Sequence, residues 1–363
     1  GIGGNIGRNT APYLIASYYD SSLVDGMAGS VNTPPNKDIR WEKTTTVNVG
    51  VDFALFRHRL SGTIEYYNKY SVDLLAAING SPTQGFGYTT LMTNNGKMVN
   101  RGVEITLSGE IIRQKDFSWN ASLLYAFNRN KVKHISVQPS LWDSRISMPT
   151  SYPMVGKPLY GIYAYKWAGL NENGDPQVYD AENNVTSGPA RDYHALVYCG
   201  TTVPIHNASL TNVLRYKGFE FSAMLILDAG HKLRSSNIPS INMSNGRITS
   251  TAKGIVDRWT QPGDVTDVPR LLFSNDTENF NTHRTELYRY SDLFVYDASN
   301  IRLSNISLAY RVPAHWCKKI SLSGARLQFN VENVATFAFD SKANYDLGGK
   351  VKPNYVWGLY LNF

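Results

Sequence analysis

The stretch PNYVWGLYLNF, residues 353–363, sets apolar or aromatic side chains at Tyr355, Trp357, Leu359, Leu361 and Phe363. A strict period of two with one wholly apolar face belongs to a strand whose partner surface is greasy. Soluble domains usually finish on a polar, frayed tail, whereas here the apolar face runs to the last residue. That face meets either a protein core or a lipid bilayer, and the rest of the chain decides between them.

The same alternation recurs upstream. TVNVGVDFALF (46–56) puts Val47, Val49, Val51, Phe53 and Leu55 on one face against Asn48, Gly50, Asp52 and Ala54. After a turn at Arg57, His58 and Arg59, RLSGTIEYYN (59–68) resumes with Leu60, Ile64 and Tyr66 in phase, which predicts a hairpin. RGVEITLSGEII (101–112) and FSWNASLLYAF (117–127) repeat the unit across RQKD, and NASLTNVLRY with FEFSAMLILD repeats it across Lys217 and Gly218. In IRLSNISLAYRVP and ISLSGARLQFNVENV the phase slips near Asn305 and Gly324, as a bulge would cause.

Between hairpins lie connections at about 78–97, 134–158, 181–206 and 234–296, rich in Asn, Ser, Gly, Pro and Tyr. Short turns on one side and long loops on the other are the habit of outer-membrane barrels. About eleven strands from residue 40 onward are expected, with all the long loops at one end. Glu65, Glu104 and Glu220, with Asn48 and Asp52, point away from the apolar stripe, as they would toward a water-filled lumen. A β-sandwich tolerates that pattern too. Runs of 12 residues or more favour the barrel, because soluble strands peak at about 5–6 residues.

Composition agrees. Aromatics are 12%, with 23 Tyr, yet mean hydropathy is −0.30 and no window nears the run of apolar residues that a membrane helix needs. Transmembrane strands need only about 9–11 alternating residues and leave an average hydropathy like a soluble protein's. The net charge of +7 is spread along the chain, often at strand ends, rather than clustered as in a nucleic-acid binder. Cys199 and Cys317 match no metal or redox spacing and are expected to be structural. The first residues, GIGGNIGRNT, carry neither a basic stretch nor an apolar core, so no signal peptide is expected within the numbered chain.

Motifs that carry chemistry are sparse. GIGGNIG misses the nucleotide-loop spacing at Ile6 and follows no strand; no histidine pair has metal spacing, and no G-x-S-x-G elbow exists. His206 and His231 read as polar-rim residues. No enzyme, cofactor or metal is expected. The long connections instead hold Trp142, Tyr152, Tyr160, Tyr163, Tyr193 and Tyr290 among Asn, Asp and Arg. Flat rings beside amides and charges suit polar ligands, and the candidate ligand contacts are Trp142, Tyr152, Tyr193, Asn281 and Arg284. Tyr160, Tyr163 and Tyr165 are expected in an interfacial aromatic girdle; for Trp142 and Tyr152 both readings stay open.

Five stretches in order resemble the SusC/RagA family of TonB-dependent outer-membrane transporters of the Bacteroidetes. NKDIRWEKTTTVNVGVDFALFRHRLSGTIEYYNKYSVDLL (36–75) resembles its N-P-x-L-x-W-E-x-T block and the strand that follows. GKMVNRGVEITLSGEI (96–111), VGKPLYGIYAYKWAGLNENGDPQVYD (155–180), NVLRYKGFEFSAML (212–225) and ASNIRLSNISLAYRVP with LQFNVENVATF are similar to later blocks. YDLGG stands where many members carry D-P-E, and Cys317 sits in a turn ordinarily without cysteine.

The resemblance implies an all-β fold: a transmembrane antiparallel β-barrel, with residues 1–363 as the C-terminal half of a 22-stranded plugged barrel. The N-terminal plug domain and first strands are expected to lie outside the chain. It further implies import of oligosaccharides or oligopeptides, a SusD-like surface lipoprotein as lid, TonB acting through the plug, and an outer-membrane location. Tyr355, Trp357, Leu359, Leu361 and Phe363 would then form the closing strand, with Phe363 as the assembly signal. Two other readings remain: a barrel acting as adhesin or scaffold without energised transport, and a soluble carbohydrate-binding or carbohydrate-cleaving β-protein using Asp175 or Asp264.

Overall fold

The computed structural model describes residues 1–5, 13–20, 26–33, 35–79, 90–137, 144–188, 192–243, 251–273, 282–319, 321–348 and 352–363. The alternating runs form one antiparallel sheet of ten strands: β1 Ile2–Asn5, β2 Glu42–Leu55, β3 Leu60–Asn79, β4 Thr90–Arg113, β5 Phe117–His134, β6 His206–Tyr216, β7 Phe219–Ala229, β8 Asn300–Arg311, β9 Gly324–Ala338 and β10 Asn354–Asn362. Spatial order follows chain order, so every neighbour is a meander partner.

Nine described strands of this sheet lie beyond residue 40, against the eleven expected. GIYAY (161–165) is a strand as well, but it pairs with Leu196–Thr201 in a small sheet of its own, and all five of its residues are buried. Period two identifies a strand without naming its partner.

Turns at 56–59, 114–116, 217–218 and 312–323 close one end; the connections 80–89, 135–205, 230–299 and 339–353 all leave from the other. At the first turn Phe56, Arg57 and His58 all adopt positive φ, a conformation that costs a non-glycine residue of order 1 kcal/mol or more. Of the expected loop over 78–97, residues 78–79 and 90–97 are strand and the others lie outside the described residues: β3 and β4 stay paired up to Asn79 and Thr90, with register shifts between Ser71 and Leu75. These stretches, LLAAIN (74–79) and TLMTNNGK (90–97), carry no period-two alternation, so the sequence does not mark the strands there while the hydrogen-bond ladder continues.

Register reveals two chemically distinct faces. Directly opposed residues share a face, and one cross-sheet row reads Val51, Ile64, Ile105, Tyr125, Ala208, Leu227, Ile301 and Phe337. The next face over reads Asp52, Thr63, Thr106, Leu124, Ser209, Ile226, Arg302 and Thr336. Tyr355, Trp357, Leu359 and Leu361 continue the apolar face: Trp357 opposes Phe329 with ring centroids 4.2 Å apart, and Phe329 opposes Leu308. The slip near Asn305 is a register shift between Leu303 and Asn305; Gly324, by contrast, starts β9 rather than breaking it.

The apolar face has two aromatic borders. The lower row is Phe117, Tyr216, Phe219 and Tyr310, with Phe219 and Tyr310 rings 4.5 Å apart. The upper row is Tyr66, Val103, Phe127 and His206. Ten residues separate Phe117 from Phe127 along β5, about 34 Å of strand. At a tilt of about 45° this spans about 24 Å, the height of a barrel's apolar band.

The girdle therefore lies on the sheet and does not include Tyr163 or Tyr165, each 1% exposed inside the loop assembly. Tyr160 precedes the same small-sheet strand. His206 does sit at the rim, where its Nδ1 lies 2.9 Å from the Tyr125 hydroxyl.

Gly102 on β4 has no room for a side chain: a Cβ there would lie 2.4 Å from the Tyr67 ring and 2.5 Å from the Phe127 carbonyl oxygen. Gly102→Ala is expected to cost about 1–3 kcal/mol through overpacking. The check is the urea midpoint of the folded barrel in detergent, which an unstrained site would leave unmoved.

Candidate functional site: polar wall and loop crown

The inner face of the sheet offers a shallow groove of about 320 Å³ lined by Glu104, Thr106, Leu124, Asn207, Ser209, Ile226 and Asp228. Glu104 directly opposes Glu65, and both face inward with Asp52 and Asp228. Arg302 reaches Asp228 at 3.0 Å, and Arg215 and Arg326 both bond Glu220, at 2.7 and 3.1 Å. This wall is polar and mixed in charge, as expected from Glu65, Glu104 and Glu220 in the sequence.

Above the wall the two longest connections fold into one crown. Tyr163, Tyr165, Val178, Ala195, Leu196 and Leu287 form its main apolar core, and Ile241, Tyr288 and Phe294 a second. Burial drives the Tyr288 hydroxyl well above its usual pKa. The Arg234 guanidinium donates to the carbonyls of Tyr163, Arg289 and Ser291, and so caps the helix Thr282–Arg289 at its C-terminus, where partial negative charge gathers.

A polar clasp joins the connections. Asp175 takes a two-pronged ion pair from Arg270 (3.1 and 2.8 Å) and a further bond from Arg284 Nε at 2.7 Å. Arg284 is 2% exposed, and its remaining nitrogens bond Asn242 and the carbonyl of Arg270. The Asp175 turn depends on Gly174: its φ is +74°, and a Cβ would sit 2.4 Å from the Trp259 ring. Beside this turn opens a cleft of about 440 Å³ lined by Leu170, Asn171, Glu172, Trp259, Asp264 and Thr266.

The model of the family described as "TonB dependent receptor-like, beta-barrel" matches residues 4–334. The chain belongs to this family. Its relatives include TonB-dependent receptor P3 of Formosa agariphila, 25% identical over 346 residues, covering 89% of this chain and 33% of that protein. TonB-dependent receptor SusC of Bacteroides thetaiotaomicron is 25% identical over 312 residues, covering 82% of this chain and 29% of SusC. The RagAB peptide transporter superposes on the whole chain with a TM-score of 0.76 at 23% identity, and 40% of that chain is covered. Our chain thus spans about a third of the length of these curated relatives and shares the fold of part of a TonB-dependent receptor barrel.

In this receptor-family wall the sequence-derived contacts are scattered. Trp142 and Asn281 lie outside the described residues. Tyr152 is half-buried just beyond the helix Ser144–Ser147. Tyr193 packs on the main crown core, with the Arg145 guanidinium 4.8 Å from its ring centre. Arg284, expected as a ligand contact, lies inside the clasp with 2% of its surface exposed. The buried side of a loop and its wet side have the same composition, so residue type did not separate them.

Trp259 beside Asn171 and Glu172 is the aromatic-and-polar surface that the sequence reading passed over. Its signal was Gly174 in NENGDP, a turn that brings backbone close to a ring. Asp175 and Asp264, the carboxylates of the enzyme reading, are both engaged: Asp264 accepts bonds from Thr260 and Gln261, which hold its pKa down. Among the described residues, no three His, Cys, Asp or Glu side chains gather to hold a metal.

Cys199 sits in the small-sheet strand Leu196–Thr201, and burial, assisted by Asp292, pushes its thiol up to about 11. At pH 8 its alkylation by iodoacetamide is expected to run at least about 100-fold slower than that of an unperturbed thiol. The rate should climb about tenfold per pH unit toward 11. Labelling as fast as glutathione's would contradict the burial.

Proposed function

We propose that residues 1–363 form the C-terminal part of the barrel of a SusC-like TonB-dependent transporter, which imports oligosaccharides or oligopeptides across the outer membrane. The observation that carries this reading is the two-faced register: an apolar band about as tall as a bilayer's core on one side, a polar wall on the other, with every long connection at one end. The outer edges of β1 and β10 carry no partner among the described residues. Unpaired backbone in lipid costs several kcal/mol per group, so further strands would complete the 22-stranded barrel, with β10 and Phe363 at the seam.

A plug domain would fill the lumen. Like charges directly opposed on a sheet repel, and basic groups of a plug facing Glu65 and Glu104 would relieve that repulsion. The crown would form the mouth, where a SusD-like lipoprotein closes over the ligand and the Trp259 cleft contributes to its capture. TonB would act through the plug, leaving wall and crown to this chain. The import of peptides named for the RagAB relatives supports an oligopeptide ligand as much as an oligosaccharide.

The test is intact-mass analysis of every polypeptide that co-purifies with this chain from detergent-extracted outer membrane. A plug-bearing species together with a lipidated surface protein is the expected result. Recovery of the chain alone, or from the soluble fraction, would overturn the proposal.

A further inference from the structure

The outer face of strands β2 to β5 is free of acid over the paired register; Asp73 falls within the register shift of β3, where it meets Arg40 at 3.5 Å. Asp52, Glu65, Glu104 and Glu110 all fall on the inner face, and Glu42 turns inward to accept the Leu75 amide. Basic residues on that outer face are concentrated at one height. Arg101 and Arg129 directly oppose each other in the row above Val103 and Phe127, and Lys131 follows in the next row, opposite Val99. All three are exposed. Arg101 Nε donates to Asn68 Oδ1 at 3.0 Å, and among the described residues no carboxylate pairs with any of the three.

Two guanidinium groups on opposed residues, with Cβ atoms about 5 Å apart, repel unless an anion lies between them. Planar guanidinium forks match phosphate oxygens in particular. Position selects the anion's source. The cluster lies just above the upper aromatic border formed by Tyr66, Phe127 and His206, where lipid tails give way to headgroups. A soluble protein seated there would have to displace lipid, whereas a headgroup already occupies that depth.

We propose that Arg101, Arg129 and Lys131 form a binding site on the outer wall for the phosphate groups of an outer-leaflet lipid. The apolar rows beneath them contact that lipid's chains. The site rests on the membrane-barrel reading above, and it adds a fixed lipid ligand to the wall, separate from any imported substrate.

The test uses the full-length receptor and an Arg101→Gln/Arg129→Gln/Lys131→Gln variant, extracted from native outer membrane in mild detergent. Heat-modifiable gel migration establishes that the variant barrel is folded. Lipid phosphate retained per protein is then measured, and native mass spectrometry identifies the bound species. The variant is expected to lose at least about tenfold of the retained lipid phosphate, since each basic group near an anionic surface contributes a substantial attraction. A large excess of inorganic phosphate should not displace the lipid from the wild type.

Equal retention by the folded variant would overturn the site. Occupancy by inorganic phosphate without lipid would overturn the assignment to a lipid, as would loss of an acidic protein in place of lipid. If the receptor itself were missing from the outer-membrane fraction, the transporter reading would fall and this inference with it.

Discussion

Leu123→Arg is expected to lower barrel stability by about 2–4 kcal/mol, while Leu124→Arg, one residue further along β5, should cost less than about 1 kcal/mol. Leu123 lies midway between the two aromatic borders, in the row Phe53, Gly62, Leu107, Leu123, Leu210 and Leu225. An arginine there faces hydrocarbon and must be partly desolvated or drag water inward. Leu124 is 52% exposed on the polar wall, opposite Thr106 and Ser209, so a charge there stays hydrated. Urea unfolding of the full-length receptor in lipid vesicles, followed by tryptophan fluorescence, reads both variants. Equal effects would mean that the two faces do not see different solvents, and the assignment of the bilayer to the Leu123 face would be wrong.

For Asp175→Ala the crown, not the barrel, should fail. Removing this carboxylate leaves Arg284 buried with its charge uncompensated and frees Arg270. Breaking such a pair from one side typically costs about 3–5 kcal/mol. That exceeds what a crown held by two modest apolar cores is expected to absorb locally. Residues 144–188 and 251–273 should therefore become sensitive to protease added to intact cells, while the gel migration of the barrel stays unchanged. Asp175→Asn keeps the shape and some of the hydrogen bonds, and should fall between wild type and alanine. A crown equally protease-resistant in all three proteins would show that the clasp does not hold the connections together.

Much of the wall was legible in the residues. Val47 to Leu55, Val103 to Leu107 and Phe117 to Phe127 alternate because one strand face meets lipid and the other water, so solvent alone imposed period two on them. Hairpin partners could be read as well, since turns as short as Lys217 and Gly218 leave no other strand within reach. The upper parts of β3 and β4 were missed because LLAAIN (74–79) and TLMTNNGK (90–97) show no alternation, although the hydrogen-bond ladder runs through them. Tyr163 and Tyr165 were placed at the membrane rim because a tyrosine in an alternating run suits an interface and a crown core equally.

Residue order and chemistry thus determined the strands, the face each turns to lipid and the end from which the long connections leave. They did so because membrane strands are selected by a solvent that acts on each residue independently of distant ones. The crown was decided at another level. Asp175 lies in one connection and Arg270, Arg284 and Asn242 in the other, and they meet only once the two connections have folded against each other. Whether Arg284 serves a ligand or a clasp depends on which neighbour excludes water from it, and that is a property of packing rather than of the side chain.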